Sequence, residues 1–142
     1  MPTARDIMTG SAECASINDT LTDAARKMRD LNVGALPICG DDNRLAGVIT
    51  DRDIVLKSVA DGNDPSSVNV SELAGGKPVT IGADDDVDEV LRTMREHGVR
   101  RLPVIDDHDL VGIVSLADVA KNVSEDKVGD LVEAISAAPE NN

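Results

Sequence analysis

Apolar and polar positions follow two periods along the chain, and the same succession of periods occurs twice. Apolar residues three or four positions apart predict an amphipathic helix, and short apolar runs bounded by turn residues predict strands. The first succession comprises an extended segment, a helix, two strands and a second helix, at residues 13–17, 21–31, 35–39, 45–49 and 51–60. This mixture of helices and strands predicts an α/β or α+β fold.

The second succession repeats the first at a nearly constant distance along the chain. A shift of 66 residues places Pro37 on Pro103, and a shift of 65 places Gly47 on Gly112 after one deletion in a turn. We therefore expect two related halves that pack together as one module. The expected segments are a first domain, a linker, a second domain, a C-terminal helix and a flexible tail, at residues 4–60, 61–69, 70–123, 124–137 and 138–142.

One motif stands at the same place in both halves. A strand containing a glycine ends at a hydroxyl residue, Thr50 or Ser115, and a carboxylate, Asp53 or Asp118, follows three residues later. Backbone N–H groups, a hydroxyl and a carboxylate at a strand-to-helix junction can bind an anionic ligand. The same spacing can also form a capping box, which needs no ligand. The double occurrence favours a ligand site that is built twice.

Composition excludes several classes of partner. The formal net charge of -13 disfavours nucleic acid and anionic membrane surfaces. Because the chain has no Phe, Tyr or Trp, a flat ligand has to lie between aliphatic side chains. No apolar run approaches the roughly 20 residues that cross a bilayer, and the first residues lack the apolar stretch of a secretory signal. We expect a globular cytoplasmic protein.

Cysteine and histidine give no indication of catalysis or metal binding. His97 and His108 have no second His or Cys at ligand spacing, so we expect no metal site. Both histidines are far in sequence from Cys14 and Cys39, and no catalytic triad is indicated. We therefore expect that the protein is not an enzyme.

The chain resembles a tandem pair of cystathionine β-synthase (CBS) domains from about Ala4 to Val123. The resemblance rests on Ala-Leu-Pro-Ile at 35–38 and Arg-Leu-Pro-Val at 101–104, each followed by the glycine, hydroxyl and Asp motif. Residues 4–8, 35–42 and 50–55 are similar to stand-alone actinobacterial CBS pairs. The resemblance implies a regulatory module without catalysis or a required cofactor. It implies binding of AMP, ADP, ATP or S-adenosylmethionine in clefts between the halves.

The resemblance also implies roles for individual residues. Asp53 and Asp118 would accept hydrogen bonds from ribose hydroxyls, and Thr50 and Ser115 would contact the phosphate or the ribose. Adenine would lie against aliphatic side chains in each half, which are Ile17, Pro37 and Ile38 in the first and Ile81, Pro103 and Val104 in the second.

The two expected sites differ in charge. Arg100 and Arg101 precede the second Leu-Pro and can pair with phosphate, although ordinary surface charge is an equal alternative. The first half has no arginine at the matching positions and has to rely on Arg52 or Lys57. We expect tighter binding at the second site.

The resemblance leads to expectations about a disulfide and about partners. If the strands that carry Cys14 and Cys39 are neighbours, as in CBS domains, a disulfide can join them, and we expect it despite a cytoplasmic location. We expect a homodimer, since similar CBS pairs associate through helices, and an unidentified protein partner. Two functions stay open. One is an adenosine-ligand sensor, and the other is a ligand-free, disulfide-stiffened stress protein that acts through protein contacts.

Overall fold

The computed structural model describes residues 2–10, 13–74 and 78–137, which form two compact units. Among the described residues, the first unit comprises 13–74 and 78, and the second comprises 2–10 and 79–137. The expected tail at 138–142 lies outside the described residues. The units differ from the expected segments at two points. Residues 4–10, expected in the first domain, belong to the second unit, and residues 61–74 and 78, expected as the linker and the start of the second domain, belong to the first. No helix in the described part is long and apolar enough to cross a membrane.

The helices and strands alternate as the sequence predicts. The predicted helix over 51–60 consists of a short α-helix and a π-helical turn, in which the N–H of Ala60 donates to the carbonyl of Val55. In chain order the elements are α1 (Ala4–Ile7), β1 (Thr9–Gly10), β2 (Ala15–Ser16), α2 (Leu21–Leu31), β3 (Ala35–Cys39), β4 (Leu45–Thr50), α3 (Asp51–Ile54), the π-helical turn (Val55–Val59), a 3-10 turn (Pro65–Ser67), α4 (Val70–Leu73), β5 (Ile81–Gly82), α5 (Val87–His97), β6 (Arg101–Asp106), β7 (Asp109–Ser115), α6 (Leu116–Ala120) and α7 (Glu125–Ala137).

The first unit contains a three-stranded sheet in the order β2-β3-β4. Strand β2 is parallel to β3, and β3 is antiparallel to β4. Helix α2 begins at a capping box formed by Thr20 and Asp23 and ends at Asn32 in the left-handed conformation. Its apolar face packs into the core of the unit. That core consists of Ala15, Leu21, Ala24, Met28, Leu36, Ile38, Ile49, Ile54, Val70 and Leu73.

The second unit contains a four-stranded sheet in the order β1-β7-β6-β5. Strand β5 is parallel to β6, and β7 is antiparallel to both β6 and β1. Helix α7 adds Leu131 and Ile135 to the core, and both side chains are buried. The first unit has no counterpart of this helix among its described residues. The other core residues are Ala4, Ile7, Ile81, Ala83, Val87, Val90, Leu91, Met94, Val99, Leu102, Val104, Val114 and Val119.

Each motif glycine lies under a lead segment. A Cβ atom on Gly112 would lie 2.5 Å from Sδ of Met8 and 2.7 Å from the carbonyl oxygen of Thr9. A Cβ atom on Gly47 would lie 2.9 Å from Cβ of Ala74, directly after α4. The motif glycine in each unit therefore has a structural role. Because it has no side chain, a second segment can pack closely on the strand.

Candidate ligand-binding site

Both predicted junctions form capping boxes. In the first unit, the N–H of Thr50 donates to Oδ2 of Asp53 at 3.1 Å, and the N–H of Asp53 donates to Oγ1 of Thr50 at 3.0 Å. In the second unit, the corresponding distances between Ser115 and Asp118 are 2.9 Å and 3.2 Å. The hydroxyl of Ser115 also donates to Oδ2 of Asp118 at 3.0 Å. The capping boxes that the spacing allows are therefore formed at both junctions.

Capping boxes also occur at helices where the sequence indicates no ligand. Thr3 and Asp6 form one at α1, Thr20 and Asp23 form one at α2, and a third stands at the start of α4. A box alone therefore does not distinguish a binding site from an ordinary helix start. The residues around each box therefore have to decide between a binding site and an ordinary helix start.

The strand register brings two arginines to the second junction. Arg101 lies directly opposite Ser115 in the antiparallel pair of β6 and β7, and the N–H of Leu116 donates to the carbonyl of Arg100 at 2.9 Å. Arg100 is exposed and Arg101 is half-buried. The backbones of two arginines thus lie beside the box, and an arginine side chain can make charge-assisted hydrogen bonds to an anion.

The first junction has the same backbone geometry without these cations. Ala35 lies opposite Thr50, and the N–H of Asp51 donates to the carbonyl of Gly34 at 2.9 Å. Gly34 and Ala35 occupy the places that arginines occupy in the second unit. Arg52, which the sequence offers as a substitute, is exposed on the helix.

The two aspartates also differ in the oxygen that faces away from the box. In the first unit, Oδ1 of Asp53 lies 3.4 Å from Nζ of Lys57. In the second unit, the residue that matches Lys57 is Asn122, whose amide donates to the backbone carbonyl of Asp118 at 2.7 Å. Among the described residues, none donates a hydrogen bond to Oδ1 of Asp118. This oxygen can accept a hydroxyl of a ligand without losing a protein contact.

Sequence reasoning overlooked Asp51. Its carboxylate lies at the first junction, where a Cβ atom on Gly34 would be 3.1 Å from its Oδ2. The matching residue in the second unit is Leu116, so Asp51 adds a negative charge at the first junction only. Comparing the two motifs for their differences as well as their shared positions would have identified it. A second carboxylate disfavours a phosphate at the first junction.

The expected aliphatic walls lie in the cores of the units. Ile38 and Val104 are completely buried, and Ile81 is nearly so. Pro37 and Pro103 are also buried, whereas Ile17 is partly exposed. Strand pairing places Ile81 beside Val104, but it places Ala15 beside Ile38, so Ile17 lies two positions beyond the matching residue and just outside β2. An adenine ring can contact these walls only if the buried side chains become accessible.

The expected disulfide is present in the first unit. Cys14 and Cys39 are bonded, with 5.6 Å between their Cα atoms. The parallel pairing of β2 and β3 brings the two residues together, and Nζ of Lys27 donates to the carbonyl of Cys14 at 2.7 Å. The bridge therefore ties the first extended segment to the Leu-Pro strand.

Other surface features lie away from the junctions. A groove of 280 Å³ lies between α5 and α7, where Lys127 pairs with Asp88 at 3.3 Å and Arg92 pairs with Glu89. Within the described residues, no three His, Cys, Asp or Glu side chains are grouped so that they could hold a metal ion. None of the residues that line this groove belongs to the predicted motif.

Comparison with known proteins decides the family. The family model for the CBS domain matches residues 4–59 and 70–125, which together cover most of the chain. The chain belongs to the CBS domain family. The proposed resemblance is confirmed, and the two matched ranges begin at the lead segments that contain α1 and α4.

Hypoxic response protein 1 of Mycobacterium tuberculosis is 49% identical to this chain over 135 residues, which is 95% of this chain and 94% of that protein. A crystal structure of hypoxic response protein I with two coordinated zinc ions has a TM-score of 0.79 and 50% identity, and covers 86% of this chain and 99% of its own.

Two further solved CBS proteins contain adenosine ligands. CBSX2 in complex with AMP is 25% identical, has a TM-score of 0.73, and covers 85% of this chain and 95% of its own. The CBS pair of MJ0100, in complex with 5-methylthioadenosine and S-adenosyl-L-methionine, is 28% identical with a TM-score of 0.75 and covers 85% and 94%.

Proposed function

We propose that this chain is a non-enzymatic regulatory CBS pair that binds an adenosine-containing ligand at the junction formed by Ser115 and Asp118. The proposal rests chiefly on the pair Arg100 and Arg101, which the strand register brings to the capping box of the second unit only. The family and the adenosine complexes of CBSX2 and MJ0100 support the class of ligand.

The chemistry of the second junction fits a nucleotide. Oδ1 of Asp118 can accept a hydrogen bond from a ribose hydroxyl, and the two guanidinium groups can pair with a phosphate. At the first junction, Lys57 already engages Asp53, and Asp51 adds a negative charge. We therefore expect AMP, ADP or ATP to bind the second junction at least ~10-fold more tightly, since a charge-assisted hydrogen bond contributes roughly 1.5–3 kcal/mol.

Titration calorimetry tests this preference in matched variants. Asp118→Asn keeps an acceptor for the N–H of Ser115 but loses the charge, and Asp53→Asn makes the same change at the first junction. We expect Asp118→Asn, and separately the double change Arg100→Ala with Arg101→Ala, to remove most of the heat for AMP and ATP. Asp53→Asn should leave that heat nearly unchanged. The reverse order would show that the arginines are not the phosphate partners.

A ligand-free function is the alternative, and the disulfide between Cys14 and Cys39 favours it. In that case the bridge stiffens the first unit, and the protein acts through contacts with another protein. A thermal-shift series with AMP, ADP, ATP and S-adenosylmethionine, read with an external dye, separates the two functions. If none of these ligands shifts the melting temperature or gives heat, the alternative replaces the sensor.

A further inference from the structure

The two units place different residues at one matching position above the motif glycine. In the second unit, the side chain of Met8 lies over Gly112, so that a Cβ atom on this glycine would be 2.5 Å from Sδ and 3.1 Å from Cγ of Met8. The repeat shift of 66 residues places Met8 on Ala74, whose Cβ atom lies over Gly47 in the first unit. The same contact therefore contains a thioether in one unit and an unreactive methyl group in the other.

Met8 is also the methionine that an oxidant in solution reaches most readily among the described residues. Its side chain packs against the core of the second unit and is partly exposed, whereas Met28 and Met94 are 5% and 0% exposed. Met1, the fourth methionine, lies outside the described residues. The two cysteines of the chain are bonded to each other, so no thiol competes for an oxidant. Accessibility and chemistry thus select the same sulfur atom.

We propose that Met8 is a site of reversible oxidation to methionine sulfoxide by a peroxide, and that this modification releases strand β1 from β7. One oxygen atom passes from hydrogen peroxide to Sδ, and the sulfur loses two electrons. The O–O bond breaks, and the departing hydroxide takes up the proton of the transferred hydroxyl and leaves as water. Because the burial of a polar group without a partner is costly, the sulfoxide moves toward water and the contact over Gly112 is lost.

The contacts on either side of Met8 decide which part of the lead segment, residues 2–10, responds. Before Met8, the backbone N–H groups of Ala4 and Arg5 donate to carbonyls of the second unit at 2.8 Å and 3.0 Å, and the guanidinium of Arg5 pairs with Asp106 at 2.8 Å. After Met8, strand β1 has only two residues and lies at the edge of the sheet. Such a strand opens at little cost in free energy. We therefore expect β1 to detach, which leaves β7, the strand that ends at Ser115, as the edge of the sheet.

Peroxide treatment of the intact, disulfide-bonded chain tests the choice of residue. Peptide mass spectrometry follows the gain of one oxygen atom at each methionine, and cleavage after Arg5 separates Met8 from Met1. We expect Met8 to be oxidised at least ~10-fold faster than Met28 and Met94, because the two buried side chains react only after larger openings of the fold. Equal rates at these three methionines would overturn the proposal.

Amide hydrogen exchange, measured by nuclear magnetic resonance, tests the release of β1. In the chain oxidised at Met8, exchange should accelerate at least ~10-fold in residues 8–10 and stay nearly unchanged at Ala4 and Arg5. Two methionine sulfoxide reductases, one for each epimer of the sulfoxide, should restore the original rates. Reductant without these enzymes is the control for reduction of the disulfide. Oxidation of Met8 with unchanged exchange in residues 8–10 would show that β1 is not released.

Met8→Leu is the matched variant, because leucine keeps an apolar side chain of similar size without a sulfur atom. Met8→Ala copies Ala74 and places the residue of the first unit at the same position. Peroxide should not change the exchange in residues 8–10 of either variant. Met28→Leu, which removes a buried methionine of the first unit, should respond to peroxide as the wild type does. If Met8→Leu also responds like the wild type, the release does not come from Met8 and the proposal is wrong.

Discussion

The two units share the same features of backbone structure and differ in the side chains around them. Both have a strand-to-helix capping box, a glycine beneath a lead segment and a parallel strand beside the Leu-Pro strand. Among the described residues, the first unit alone has the disulfide, and the second alone has the adjacent Arg100 and Arg101 and the helix α7. The repeat thus preserves the residues that shape the backbone, while the residues beside the two capping boxes differ in charge.

Removal of the disulfide should give the largest effect. The double variant Cys14→Ser with Cys39→Ser opens a loop with a sequence separation of 25 residues. We expect a loss of about 3 kcal/mol in the free energy of unfolding, because the unfolded chain gains conformational freedom. Urea unfolding followed by far-ultraviolet circular dichroism measures this loss, since the chain has no aromatic residue for fluorescence.

Amide hydrogen exchange shows where that stability is lost. Exchange should accelerate in β2 and β3 of the first unit and stay nearly unchanged in β5 and β6, the corresponding strands of the second. Equal acceleration in both pairs of strands would mean that the bridge stabilises the whole chain, and the contrast between the units would not hold for stability.

Substitution of the motif glycines should give the next largest effect. Gly112→Ala places a methyl group 2.7 Å from the backbone oxygen of Thr9, so strand β1 has to move. Gly47→Ala meets the Cβ atom of Ala74 at 2.9 Å, and its other neighbours lie at ordinary contact distances of 3.8 Å or more. We expect losses of about 2–3 kcal/mol and about 1 kcal/mol, respectively, in the free energy of unfolding.

Gly129→Ala is the matched control for these glycines. It lies in α7 with nothing within 4 Å of the added Cβ atom, and it should stabilise the helix by about 0.5–1 kcal/mol. Urea midpoints of the three variants give the order. If Gly47→Ala lowers the free energy of unfolding as much as Gly112→Ala does, the segment that contains α4 and Ala74 is held as rigidly as β1.

The features that the sequence predicts correctly are local ones. The strands around Pro37 and Pro103, the amphipathic helices and the boxes at Thr50 and Ser115 all follow from residues within a few positions of each other. The assignment of residues 2–10 to the second unit could not be predicted in this way. The contacts that decide it, such as Ala4 N–H to the carbonyl of Asp85, join residues about eighty positions apart, and a periodic pattern carries no information about such pairs.

The candidate site also combines features that the local sequence predicts with features that it does not. The pattern predicts the two strands that carry Arg101 and Ser115, and the structure adds their antiparallel register, in which the two residues lie opposite each other. The burial of Ile38 and Val104 does not follow, because an apolar run indicates a strand without indicating which of its faces a ligand can reach. Asp51 does not emerge from the positions that the two repeats share, because its counterpart is Leu116.

The smallest expected effect concerns acid. Hydrogen bonds from the backbone N–H and the side chain of Thr20 hold the pKa of Asp23 below its usual range, and the backbone N–H and side chain of Ser66 do the same for Asp64. Both carboxylates belong to the first unit, whereas Asp6, whose pKa is lowered chiefly by the backbone N–H of Thr3, belongs to the second. A lowered pKa contributes stability that is present above the ordinary value near about 4 and is lost as the pH falls through the folded-state value.

The urea midpoint should therefore fall between about pH 5 and pH 3, and Asp23→Asn should reduce this fall, because its amide caps α2 without titrating. Asp30→Asn removes a charge from the same helix without removing a cap, so it should leave the wild-type dependence on pH in place. If both variants follow the wild type, the caps of the first unit do not set its response to acid. The contrast between the units would then rest on the disulfide and the arginines alone.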